Sequence, residues 1–221
     1  MSVVAGPDIV SDGLVLLLDA GNIESYPGTG ITWYDLSGNS NHCTWASLPA
    51  YNDTHFTLDG TQSGTIINNA TLDFSSAQTL IMVLRHTYTS GRRNPWNQAY
   101  GGYGTWTHEQ GNYINWYFGD YGGNGGSYVA LGSGTTNRGA WNMLATVRDE
   151  AQRFWVVNGV QGTVYTHAYG TLTTTAANIT IGSGYAGAWI GDMAVIMGYT
   201  TALTTPQVQQ NFAALRGRFG L

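Results

Sequence analysis

The side chains best suited to chemistry here are carboxylates, imidazoles and one thiol, and their spacing sets up no reaction. Hydrolysing a glycosidic bond takes two carboxyl groups flanking it, one to donate a proton and one to attack or to activate water. The chain has only Glu24, Glu109 and Glu150, far apart in sequence, and Glu109 has no acidic neighbour. His42, His55, His86, His108 and His167 are scattered without metal-ligand spacing. No G-x-S-x-G elbow, P-loop or H-E-x-x-H is present. Cys43 stands alone, so the fold must rest on packing rather than on a disulfide. Asp19, Asn22, Asp35, Asn39 and Asn41 are oxygen donors of the sort a hard cation takes. Their spacing matches no defined ligand loop, and turns use the same residues to cap backbone N–H groups. Asp35 in the DLSG stretch reads as a turn brace. The expectation is no catalysis, no metal and no cofactor.

Aromatic side chains are the other chemically distinctive group. Pro95 to Val129 holds Trp96, Tyr100, Tyr103, Trp106, Tyr113, Trp116, Tyr117, Phe118, Tyr121 and Tyr128 among many glycines. Alternation assigns part of this set to the core, with Ile114, Trp116 and Phe118 on one side of a strand and Tyr113, Asn115 and Tyr117 on the other. Tyr and Trp outside the core are rigid, amphipathic anchors for protein contacts or for the C–H faces of sugars. Trp96, Tyr100, Tyr103, Trp106 and Tyr121 are the expected contact residues, with Arg92 and Arg93 as polar partners.

The surroundings suit such a surface. Charged residues are 10% of 221, against 43% hydrophobic, and the net charge is −5. All eight basic residues are Arg, with no Lys. The polar surface is therefore built from Gly, Thr, Asn, Ser and Tyr, which suits protein or neutral glycan. It argues against nucleic acid, since net negative charge repels phosphate. No apolar run is long enough for a membrane-spanning helix, and LVLLLDA ends in Asp19.

The elements that must position these residues are short strands and turns. Val15 to Leu18 and Leu80 to Leu84 are continuous apolar runs, as strands buried on both faces are. Asn158-Gly159 between Phe154–Val157 and Val160–Val164 predicts a two-residue hairpin with positive φ at both central residues. Ile179 to Gly182 and Met193 to Met197 read as further strands. One helix is predicted from Thr205 to about Leu215. Thr204 or Thr205 would cap it, Pro206 would sit in its first turn, and Val208, Phe212 and Leu215 would form its apolar stripe. Gly217 is the expected stop.

Five stretches carry a resemblance: GPDIVSDGLVLLLDAGN (Gly6 to Asn22), SYPGTGITWYDLSGNSNH (Ser25 to His42), FTLDG (Phe56 to Gly60), WNMLATVRDEAQRFWVVNGV (Trp141 to Val160) and the end from Gly198 to Leu221. They resemble the laminin-G-like, concanavalin A-like jelly-roll modules of bacteriophage virion proteins. The resemblance implies an all-β, two-sheet antiparallel jelly-roll sandwich with one short C-terminal helix. Residues 13–221 would form the domain and 1–12 a leader or anchoring segment. Glucanases on this fold carry E-x-D-x-x-E, which is missing here.

The resemblance implies a phage virion structural protein, made in the host cytoplasm and carried on the particle surface. Without heptads for a shaft, the expectation is a capsid decoration or cement protein whose partners are other virion proteins and copies of itself. The alternative is a glycan-binding receptor module of a tail fibre or spike, and a glycoside hydrolase stands third.

Overall fold

In the computed structural model, residues 7–98, 102–109, 113–119, 129–132, 136–166, 171–172 and 174–221 are described. Their strands, in chain order, are β1 (Leu14–Asp19), β2 (Thr32–Trp33), β3 (Cys43–Trp45), β4 (Ala50–Tyr51), β5 (Phe56–Asp59), β6 (Gly64–Ile66), β7 (Gln78–His86), β8 (Arg93–Gln98) and β9 (Gly102–Glu109). They continue with β10 (Tyr113–Gly119), β11 (Val129–Gly132), β12 (Asn142–Arg148), β13 (Gln152–Val157), β14 (Val160–Gln161), β15 (Tyr165–Thr166), β16 (Ile179–Ile181) and β17 (Ile190–Tyr199). A single 3-10 turn, Ala70–Leu72, precedes β7, and helix α1 (Thr205–Phe219) follows β17.

The strands form two antiparallel sheets. The first runs β14-β13-β12-β7-β17-β5-β4, with β1 also on β17 and β15 also on β13. The second runs β11-β10-β9-β8-β16-β6-β3-β2. One edge of β17 serves two partners: Ile190 to Met193 pair with β5, and Val195 to Tyr199 pair with β1. The register of β17 against β7 shifts between Met193 and Val195. There the Ala194 carbonyl accepts from Ala20 N at 2.9 Å, so the ladder irregularity marks the change of partner.

The first sheet is covered on both faces, as its unbroken apolar runs predict. Leu80, Met82 and Leu84 of β7 join Trp33, Trp45, Phe56, Trp96, Trp116 and Trp189 between the sheets. Ile81 and Val83 face the other way, onto Val10, Val208, Leu215 and Phe219. Each such side chain contributes about 1.5–3 kcal/mol by leaving water.

Helix α1 starts where the sequence places it and runs one turn further. The Thr204 N–H donates to Gln207 Oε1 at 2.8 Å, which closes the first turn. Gly217 lies inside the helix, and Gly220, at φ 66°, ends it. The extra turn is held by Phe219, buried against Trp141 at a ring separation of 5.0 Å. Arg218 grips Asp19 through two N–O contacts of 2.6 Å. Asn211, fully buried in the apolar stripe, accepts from Val10 N at 2.8 Å. This bond, with the burial of Val10, fastens part of the expected leader, residues 1–12, onto the helix layer.

Two local expectations match the structure. Asn158 and Gly159 have φ of 48° and 79° and close the β13–β14 hairpin. Asp35 braces its turn by accepting from the N–H groups of Leu17, Ser37 and Asn41 and from the Ser37 hydroxyl.

Candidate functional site

The pleat of the second sheet divides the aromatic segment. One row of register partners runs Trp45, Gly64, Ile181, Trp96, Trp106, Trp116 and Leu131 across β3, β6, β16, β8, β9, β10 and β11. Trp45, Ile181, Trp96 and Trp116 of this row are buried between the sheets. Gly64 leaves the room they need, since a Cβ there would lie 2.4 Å from Cys43 Sγ and 3.1 Å from the Trp45 ring. Trp96, expected at the contact surface, is therefore a core residue with 0% exposure. Trp106 is the register partner of both Trp96 and Trp116.

The adjacent row points away from the core. Thr32, Thr44, Thr65, Thr180, Asn97, Thr105, Tyr117 and Ala130 are successive partners across all eight strands from β2 to β11. The row carries no charge, and six of its eight positions are Thr or Tyr, with Asn97 a seventh polar side chain. Thr44 is exposed, and Thr32, Thr65, Thr180, Asn97 and Tyr117 are partly exposed. Tyr103 lies on β9, in the stretch where the register against β10 shifts.

Arg92 stands at the end of this face, just before β8. Its guanidinium donates to the hydroxyls of Tyr117 at 3.3 Å and Tyr185 at 3.1 Å and lies 6.0 and 5.7 Å from the two ring centroids. Asn115 Nδ2 also donates to the Tyr117 hydroxyl, at 3.2 Å. Tyr185 is 47% exposed. An irregularity in β8, between Arg93 and Trp96, creates this corner. Pro95, which has no N–H for the ladder, is tolerated there. Asn94 uses its amide oxygen to accept from Ala186 N at 2.7 Å and its backbone N–H to donate to Gly187 O at 2.9 Å. Those bonds hold the loop that presents Tyr185.

Arg93 has a different role. It is half-buried, donates to the Ala188 carbonyl at 3.2 Å and lies 5.5 Å from the Tyr88 ring centroid. The two adjacent arginines thus divide between the open face and the loop support. Of the other expected contact residues, Tyr100 and Tyr121 lie outside the described residues.

Sequence reasoning missed Tyr185 and Asn115 as site residues, and it missed a groove at one end of the same sheet. That groove, about 430 Å³, lies between the 3-10 turn and residues 174–176 and is lined by Asn68, Asn69, Ala70, Leu72, Asp73, Thr174, Thr175 and Ala176. Among the described residues no group of three or more His, Cys, Asp or Glu could hold a metal.

No family model matches the chain, and no curated protein matches it in sequence. Solved structures match it in fold. The binding domain of botulinum neurotoxin DC, in complex with rat synaptotagmin II, aligns at TM-score 0.71 and 11% identity, over 93% of this chain and 52% of that one. A botulinum neurotoxin type C structure, concerned with cell entry dependent on two ganglioside molecules, aligns at TM-score 0.71 and 10% identity over the same shares. The binding domain of Paraclostridial Mosquitocidal Protein 1 aligns at TM-score 0.66 and 14% identity, over 91% of this chain and 52% of that one. The chain spans about half the length of these structures. At such identities the likeness establishes a shared β-sandwich fold, and the matched structures are binding domains rather than catalytic ones.

Proposed function

We propose that this protein is a lectin-like binding module that engages glycan on a receptor surface through the open face of its second sheet. The observation that carries this reading is the uncharged hydroxyl and amide row ending at the Arg92–Tyr117–Tyr185 corner. Hydroxyl and amide groups at fixed spacing exchange hydrogen bonds with sugar hydroxyls, and an exposed tyrosine ring stacks on a sugar C–H face. Binding domains of ganglioside- and protein-receptor-directed toxins on the same fold support a recognition role.

The fold neighbours are toxin domains, and the phage reading rests on the sequence resemblance alone. A virion is one carrier on which such a module would serve, as the receptor-reading part of a fibre or spike. The cement reading keeps less support, because Trp96, one of its expected contact residues, is core.

The test is a glycan array and titration calorimetry on the purified chain, with Tyr185→Ala and Arg92→Ala beside it. The expected result is binding that falls at least about tenfold in each variant, as loss of a buried stacking or charged hydrogen-bond contact predicts, with thermal stability retained. Absence of glycan binding together with concentration-dependent self-assembly abolished by the same substitutions would replace this reading with the assembly one.

A further inference from the structure

We infer that the strand edge at 160–166 is a self-pairing surface, through which two copies of this chain join their first sheets into one continuous sheet. It shares no residue with the open-face row or the Arg92 corner.

Residues 160–166 are exposed without interruption, the longest such run among the described residues. Three of them are large and apolar: Val160 is 71% exposed, Tyr165 44% and Val164 40%. β14 ends the first sheet and β15 pairs with β13, so no strand lies beyond this edge among the described residues. Val157 and Val160 close the hairpin, so Gln161, the next residue along, turns its backbone N–H and C=O away from β13. Open edges are ordinarily blunted by Lys, by other charges or by Pro. The stretch VQGTVYT has none of these.

The one guard it does carry selects the occupant. Gln161 pairs with Val156 and Tyr165 with Arg153, so four steps along this segment match three along β13. Gly162 N still donates to the Trp155 carbonyl, at 2.8 Å, which places the extra residue between Gly162 and Tyr165. Such a bulge twists an edge away from a regular strand. A second copy brings the same bulge. Around a two-fold axis near Thr163 the two segments run antiparallel, and bulge lies opposite bulge. Neutrality favours a copy as well. Chains of net charge −5 approach one another with least repulsion where neither carries a charge.

The axis of such an antiparallel pair stands across the sheet. Both second sheets therefore lie on one side of the joined sheet, and both open faces point the same way. Two faces presented to one surface bind with avidity. That gain rests on the open-face reading, and the dimer itself does not.

The experiment is light scattering on the purified chain, from about 1 to about 300 μM, the range in which a modest interface assembles. The mass should rise from one chain to two. Thr163→Lys sets like charges against each other across the axis and should weaken dimerisation at least about tenfold. Its side chain is exposed, so the melting temperature of the dilute chain should hold. Under mild oxidation Thr163→Cys should give a covalent dimer, and Ser47→Cys, exposed elsewhere, should not. The buried Cys43 stays out of that reaction. The proposal is overturned if the chain stays monomeric throughout, if the dimer survives Thr163→Lys, or if Ser47→Cys cross-links as readily. Tyr185→Ala and Arg92→Ala should leave the dimer intact, and Thr163→Lys should leave binding of a single glycan intact, so failure here and failure of the open-face reading are read apart.

Discussion

The two sheets obey the same two-residue alternation and put it to different use. In the first sheet both rows of side chains are enclosed, one by the opposing sheet and one by α1 with the segment at Val10. The buried carboxylate of β17 on this sheet is paired. Asp192, 3% exposed, holds Arg85 at 2.5 Å and the Thr57 hydroxyl at 2.6 Å. In the second sheet the inner row is tryptophan and isoleucine, while the outer row meets no covering layer among the described residues and is threonine, asparagine and tyrosine. A covered face is selected for volume, and an open face for what it can exchange with a partner.

Four measurements test this contrast. The largest effect is expected at the inner row. Trp96→Ala should cost about 3–5 kcal/mol, as cavities of that size do, with a matching fall in the denaturation midpoint. A loss below about 1 kcal/mol would mean that the ring does not sit in a packed core.

Asn158→Val comes next. It forces a β-branched residue into positive φ and removes the 2.8 Å bond from Met143 N to the Asn158 side chain. A loss of about 2–4 kcal/mol is expected from those two effects together, with glycan binding unchanged. Asn158→Gly, which keeps the turn and drops the bond, separates the two parts.

A smaller, pH-dependent effect is expected on the first sheet. Burial holds His55 below its ordinary pKa and Arg85 adds to this, while nearby Asp192, 3.7 Å away, works against it. The unfolded chain therefore binds the His55 proton more readily than the folded one. The stabilisation is complete above the ordinary histidine pKa of about 6.5 and is lost as the pH falls below it. Wild type should lose more thermal stability between neutral and mildly acidic buffer than His55→Gln does. Parallel curves for the two would remove His55 from the account.

The smallest effect is expected on the open row. Thr65→Val keeps shape and β-propensity and removes one outward hydroxyl. Stability should stay within about 0.5 kcal/mol, while glycan affinity falls. A large stability loss instead would show that this face is covered.

Much of the fold was legible in the sequence because its signals are local. The Asn-Gly turn, the Asp35 brace, the start of α1 and the doubly buried runs of β7 and β17 each depend on neighbours a few residues away. Trp96 was misplaced because the ladder irregularity between Arg93 and Trp96 breaks the alternation there, and because glycines nearby suggest loops where β9 forms a strand. The helix end was misjudged because Gly217 is a nearby stop signal, while the reason to continue, Phe219 on Trp141 and Arg218 on Asp19, lies across the fold. The groove had no sequence signal at all. Asn68 and Thr175 come together only through sheet pairing, and asparagine and threonine are common in any turn.

Cys43 gives the contrast a clock. The thiol is fully buried beside Gly64, and burial pushes its ionisation far above the usual range. A thiol-directed reagent reacts with the thiolate, so it must wait until β3 and β6 part. The labelling rate of the untouched protein therefore reports how often the second sheet opens, without any introduced probe. A ligand spanning Thr44 and Thr65 on the outer side of the same two strands would slow that rate, turning one inaccessible sulfur into a kinetic gauge of occupancy on the opposite side of the sheet.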